Sequence, residues 1–180
     1  MKKLAIRIVL LTHILSACLL SHTATANEDQ RLFKAAFIYN FAKFTRWPTS
    51  PEENIKTEIT LCTLGEDQLV YDLNRLKGKI IKNKTLSVQL YKKSNECDML
   101  YIASSKKNNY KKTLKAISNK PILTISEIRY FALSGGIIEL NLDKGYTRIT
   151  ANLNAANKSN LELSSRLLIL ANIIDDNSKK

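Results

Sequence analysis

Apolar residues recur at spacings of four and three in "RLFKAAFIYNFAKFTRWP", so Phe33, Phe37, Phe41 and Phe44 share one side of a helix predicted over Arg31 to Trp47. Tyr39, Lys43 and Arg46 fall on a second side, and Ala35, Ile38 and Ala42 make a third that is small and apolar. A helix that is apolar on most sides is buried on more than one of them. Pro48 and Pro51 stop it, because the residue before a proline is pushed out of the helical region.

Strand and helix patterns then alternate. Glu58 to Gly65 reads as a strand ending in a turn, and "EDQLVYDLNRLKGK" as a helix with Leu69, Leu73 and Leu76 in register, Asp67 in its first turn and Gly78 beyond its end. "KTLSVQLY" alternates as a strand does, "DMLYIAS" is a short buried strand, and "KKNNYKKTLKAISN" is a basic amphipathic helix. "PILTIS" predicts another strand, "EIRYFALS" a short helix, and "GIIELNLDKGYTRITANLN" a hairpin turning at Asp143-Lys144-Gly145. The last predicted helix is "NLELSSRLLILANII", with Leu167, Leu170, Ala171 and Ile174 on its apolar side. This alternation implies a single α/β domain over 27–174, with a layered, largely parallel sheet and helices on both faces, before a disordered tail at 175–180.

The first 26 residues change the inventory. Lys2, Lys3 and Arg7 precede an apolar run and Ala24-Thr25-Ala26, the form of a cleaved secretory signal. A competing reading is a lipobox at Leu15-Ser16-Ala17-Cys18, in which Cys18 is acylated and becomes the first mature residue. On either reading the protein leaves the cytoplasm. Cleavage after Ala26 takes the net charge from +12 to 25 basic against 16 acidic residues, or +9. Outside the cytoplasm so basic a surface points to phosphate, anionic lipid or acidic protein, and not to nucleic acid.

Both histidines, His13 and His22, precede Ala26. A chain cleaved there lacks the imidazole base of Ser-His-Asp and Cys-His nucleophiles and the usual zinc and copper ligand sets, so no catalytic residue, metal or cofactor is assigned. Cys62 and Cys97 remain; in an oxidising compartment they form a disulfide or stay as two buried thiols. Gly135-Gly136 precedes a strand and so reads as a turn, not a phosphate cradle. "SSKK" at 104–107 has the spacing of a serine–lysine pair but not its companion motifs. Glu66 with Asp67, and Asp175 with Asp176, are sequence neighbours that point apart, while the lysine pairs read as solvated faces. Two arginines stand out. Arg46 lies beside Trp47, where a guanidinium can hold an anion against an aromatic ring, and Arg166 sits in an apolar stretch where it needs an ion-pair partner or an anion.

These segments, in this order, resemble the YfiR-like family of bacterial periplasmic proteins. The resemblance covers almost all of the mature chain and is most specific in the aromatic helix ending Thr-Arg-Trp-Pro, the Gly-Gly followed by an apolar strand, and the Asn-Leu…Ser-Ser-Arg-Leu-Leu ending. It implies a dimeric, non-enzymatic α/β repressor that binds the periplasmic sensor region of an inner-membrane YfiN-type diguanylate cyclase, keeps cyclic di-GMP synthesis and biofilm formation low, and is sequestered by an outer-membrane lipoprotein of the YfiB type. It also implies a Cys62–Cys97 disulfide. The family's second, C-terminal bridge has no counterpart here, since no cysteine follows Cys97. On this resemblance the phenylalanine stripe is expected in the core, with Tyr39, Lys43, Arg46, Trp47 and the Ala35/Ile38/Ala42 face meeting a partner or a second subunit. The same layering and basic charge also suit a small-ligand module with a phosphate or nucleotide-like anion near Arg46 or Arg166.

Overall fold

The computed structural model describes residues 28–49, 56–93, 96–143 and 146–175. The predicted signal segment, all of the predicted tail except Asp175, and Lys144-Gly145 at the hairpin turn lie outside them. The chain begins with helix α1 (28–44), followed by β1 (Thr45–Arg46), β2 (Glu58–Leu64), α2 (Gln68–Asn74), β3 (Ile80–Ile81), β4 (Lys84–Leu90) and β5 (Met99–Ile102). A single turn at Ser104–Lys106 leads to α3 (Tyr110–Ile117), β6 (Leu123–Ser126), β7 (Ile138–Asp143), β8 (Tyr146–Asn152), α4 (Leu153–Lys158), β9 (Glu162–Leu163), α5 (Ser165–Leu168) and β10 (Ala171–Ile174).

Eight strands form one sheet in the order β10-β8-β7-β6-β5-β2-β4-β3, while β1 and β9 pair separately. Pairing within the large sheet is parallel except for β3 with β4 and β7 with β8. The expected α/β sheet, largely parallel, is therefore observed. Alternate side chains enter opposite layers. Ile59 and Leu61 of β2 join Met99 and Tyr101 of β5 and Leu123 and Ile125 of β6 in a core shared with α1 and α2. Cys62, Leu100 and Ile102 face the other way, toward Tyr110, Leu114 and Ile117 of α3 and toward Phe131. Helices thus cover both faces, as a strand with two buried sides requires.

Four local expectations are corrected. Helix α1 ends at residue 44, because Thr45 and Arg46 pair with Leu163 and Glu162 as β1. Its buried side is Ala35, Ile38, Phe41 and Ala42, and Phe33, at the far end of the predicted stripe, is 62 % exposed. Small residues let the helix backbone approach the sheet closely, so the face expected to meet a partner is the core face, and Phe37 and Phe44 pack only at its margin. No helix forms over "EIRYFALS": the Ser126 hydroxyl accepts from Ile128 N–H, buried Glu139 accepts from the N–H groups of Tyr130 and Ala132, and Tyr130 has φ 63°. Those carboxylate bonds hold the backbone in turns and keep both amides from a helical ladder. The last predicted helix is instead β9, the four-residue α5 and β10, because Glu162–Leu163 and Ala171–Ile174 each find a strand to pair with. The short elements β3 and α4 were not predicted.

Candidate functional site

The strand order places β2 between β4 and β5, so the chain leaves β2 for one side and returns on the other. In doubly wound sheets ligands bind at the carboxyl ends of the strands flanking such a reversal. Here the chain fills that end itself. The Tyr101 hydroxyl donates to Asp67 Oδ2 at 2.9 Å and lies 3.3 Å from Glu127 Oε2, and Lys34 of α1 pairs with Glu127. Asp67 caps α2 by accepting from Val70 N–H at 2.9 Å, and also accepts from Ser104 N–H at 3.3 Å. Burial first, then the negative charges of Glu127 and Asp67, push the Tyr101 phenol far above its usual range, so it stays a neutral donor. Gly65 seals the corner, since a Cβ there would lie 2.6 Å from Ser105 Oγ and 2.8 Å from Lys106 Cγ. The Ser105 hydroxyl accepts from Glu66 N–H, so one serine of the 104–107 segment braces the turn after β2.

The open site lies at the other end. A cavity of about 510 Å³ forms at the amino ends of β2, β4 and β5, where Arg46, Trp47, Lys56, Lys82, Lys84 and Asp98 converge. Lys34 of α1 lies at the closed end, and Trp47, reached through β1 after α1 ends at residue 44, lies at this one. The Trp47 indole donates to the Asp98 carbonyl oxygen at 3.2 Å. Asp98 in turn accepts from Lys56 Nζ and from Thr60 N–H, each at 2.6 Å, and its carbonyl also accepts from Leu123 N–H at 2.8 Å. Cys97 beside it is bonded to Cys62, with Cα atoms 5.8 Å apart. The expected disulfide thus joins β2 to the segment entering β5, next to the residue that holds Trp47.

The cations at the mouth are positioned by the chain. Arg46 Nη1 pairs with Glu162 Oε2 at 2.8 Å across the β1–β9 ladder, with 74 % of the arginine side chain exposed. Lys82, in a left-handed turn between β3 and β4 (φ 54°), donates to the Thr45 carbonyl at 3.2 Å. Tyr39 and Lys43 lie on the outer side of α1: the Tyr39 hydroxyl donates to the Ile80 carbonyl at 2.6 Å, and Lys43 Nζ sits 4.4 Å from the ring centre of Tyr39. Arg46, Trp47, Tyr39 and Lys43 therefore cluster around one end of α1 and the β3–β4 turn. Arg166 does not join them. It is exposed on α5, lines neither this cavity nor the small one beside Arg46, and makes no ion pair among the described residues. An exposed guanidinium needs neither the internal salt bridge nor the anion that an apolar helix would have demanded. Sequence reading missed Asp98, Lys82 and Glu162; adjacency to Cys97 was the one available signal for Asp98.

Among the described residues no group of three or more His, Cys, Asp or Glu could hold a metal ion, and no helix is long and apolar enough to cross a membrane. No curated protein matches the chain. The model of one protein family, described as YfiR/HmsC-like, matches residues 32–172, from within α1 into β10. A match of that extent takes in every strand of the large sheet but the end of β10, together with the disulfide and the Trp47 corner, and the chain belongs to the YfiR/HmsC-like family.

Proposed function

We propose that this protein is a periplasmic negative regulator that binds the periplasmic sensor region of an inner-membrane YfiN-type diguanylate cyclase and lowers cyclic di-GMP synthesis. We assign it no enzymatic activity. It acts as a homodimer, and an outer-membrane lipoprotein of the YfiB type sequesters it. The observation that carries this reading is the Arg46–Trp47 corner, an arginine paired with Glu162 and a tryptophan tied to the Asp98 carbonyl oxygen beside an open cleft. Such residues anchor protein interfaces when their supports are rigid. Tyr39 and Lys43 extend the same surface.

The test is cellular cyclic di-GMP in a deletion strain complemented with wild type or with Arg46→Ala. A rise on deletion that only wild type reverses supports the reading, and an unchanged level on deletion rejects it.

The cavity favours a second reading, a small anionic ligand stacked near Trp47 among Arg46, Lys56, Lys82 and Lys84. A ligand that binds only the folded chain raises its melting temperature. A screen of phosphate and nucleotide-like anions against wild type and Arg46→Ala tests this, and no shift with any of them removes it. Arg166 belongs to this reading only if Arg166→Ala abolishes such a shift.

A further inference from the structure

The two faces of the sheet carry their charge differently. Between Asp98 and Glu127 the chain holds six lysines, Lys106, Lys107, Lys111, Lys112, Lys115 and Lys120, and neither an acid nor an arginine. They follow the turn after β5, then α3, then the approach to β6, and all but half-buried Lys106 are exposed. On α3, Tyr110, Leu114 and Ile117 are buried, while Lys111, Lys115 and Lys112 turn outward within about 100° of arc. On the opposite face Arg31 and Lys34 of α1 each pair with a carboxylate, that of Asp72 and that of Glu127. Among the described residues none of the six lysines has such a partner. Glu66, beside Ser105, and Glu96, next to Cys97, stand at the rim. The arrangement costs α3 stability. Lys111 and Lys115 are like charges one turn apart, and Lys111 and Lys112 occupy a first turn that holds no acid, where the helix dipole disfavours cations. A merely solvated surface intersperses both signs.

We infer that α3 and its flanking lysines form a docking face for an anionic lipid bilayer. The inference uses the setting of the proposed function, since a chain that meets the periplasmic region of an inner-membrane protein works beside lipid headgroups. Three observations select the bilayer. No lysine of the row lines the Trp47 cavity, the small one beside Arg46 or the groove at Tyr146 and Leu170, so none of these encloses a small anion for it. Protein interfaces are depleted in lysine and anchored by arginine and aromatic side chains; this segment has no arginine, and its aromatic residues, Tyr101 and Tyr110, are buried. The lysine ammonium is a point charge on a flexible stem that needs no fixed partner geometry, which suits mobile headgroups. The sheet then separates two tasks. Because α3 packs on one face and α1 on the other, docking through α3 leaves Tyr39 and Trp47, in the α1 layer, turned away from the bilayer.

The test is flotation of the mature, disulfide-bonded chain with vesicles of phosphatidylcholine alone or with about a third phosphatidylglycerol, at low and at high salt. A triple variant, Lys111→Gln, Lys112→Gln and Lys115→Gln, is compared with Arg75→Gln, Lys77→Gln and Lys79→Gln, which remove the same charge from exposed positions at the end of α2. Thermal melts confirm that each variant folds. A lysine near anionic headgroups contributes about a fivefold factor in binding, so the α3 variant should lose about a hundredfold. Wild type and the α2-end variant should float with the anionic vesicles alone, and high salt should release both. Wild type that ignores anionic vesicles overturns the assignment. An equal loss in both variants also overturns it, by reducing the attraction to net charge. An α3 variant that floats as wild type does yet no longer lowers cyclic di-GMP gives the face to an acidic protein, and this too overturns the assignment. The vesicles contain no cyclase, so the lipid face and the proposed regulation can fail separately.

Discussion

Trp47 and Asp98 lie 51 residues apart and are joined by one hydrogen bond, from the indole N–H to a backbone carbonyl oxygen at 3.2 Å. Asp98 also fastens β2 through Thr60, β6 through Leu123, and the chain before β2 through Lys56. The single tryptophan is thus set by the amino ends of three strands.

Arg46→Ala is expected to separate function from stability. The Arg46–Glu162 pair is exposed at both partners, and such pairs contribute about 0–1 kcal/mol. Urea unfolding should shift by no more than that, while cyclic di-GMP in the complemented deletion strain stays high. A large loss of stability would show that the arginine supports the β1–β9 ladder and that its phenotype is indirect.

Breaking the Cys62–Cys97 bond should cost far more. The residues are 35 apart in sequence, and closing a loop of that size restricts the unfolded chain by about 3–4 kcal/mol on the entropy model. Denaturant titration of the Cys62→Ala, Cys97→Ala double variant measures the loss. Trp47 fluorescence is an independent check, because the cysteine pair abuts Asp98: the folded double variant should show altered tryptophan emission.

Gly136→Ala should destabilise by about 1–3 kcal/mol through overpacking. A Cβ at Gly136 would lie 2.1 Å from a ring carbon of Phe131, whose side chain is fully buried beside Tyr110. Gly78 is the control. It has φ 85°, and a methyl group added there would meet nothing within 4 Å, so Gly78→Ala should show only the cost of an unfavourable backbone, about 1–2 kcal/mol. Thermal melts of the two variants side by side distinguish a clash from a conformational penalty.

Tyr101 should make stability fall in alkali. Its folded-state phenol is raised far above the ordinary value of 10.0. Below that value both states hold the proton and the contribution is intact. Above it the unfolded chain loses the proton while the folded chain keeps it, so stability declines by up to about 1.4 kcal/mol per pH unit. Tyr101→Phe should flatten this decline. It should also lower stability near neutral pH by about 1–2 kcal/mol, because Asp67 loses a donor. Chemical denaturation between pH 9 and about pH 11 measures both effects.

Much of the sheet was legible in the chain, because alternation and short apolar runs at Glu58–Leu64, Lys84–Leu90, Met99–Ile102 and Leu123–Ser126 depend on local pattern alone. The carboxyl-terminal segment misled for the same reason. Leu167, Leu170 and Ile174 satisfy helical spacing, yet Ile173 and Ile174 are β-branched and found a parallel strand 22 residues earlier in the chain. The phenylalanines of α1 misled because bulk suggests burial; which side faces the sheet was decided by how closely Ala35 and Ala42 let the backbone approach. Arg46 and Trp47 were visible as residue types at a helix end. Their supports, Glu162 and Asp98, are long-range partners that no local spacing encodes.

Asp98 has a consequence for how a partner would experience Trp47. A side chain on a loose loop must be ordered at the moment of docking, at a cost of about 0.5–1.5 kcal/mol for each group immobilised. Trp47 is already tied to a carbonyl oxygen at the meeting point of the strands and needs no such ordering. The corner is preorganised. Sequence changes among partners should then act through the contacts they make, registering mainly as differences in how long the complex lasts.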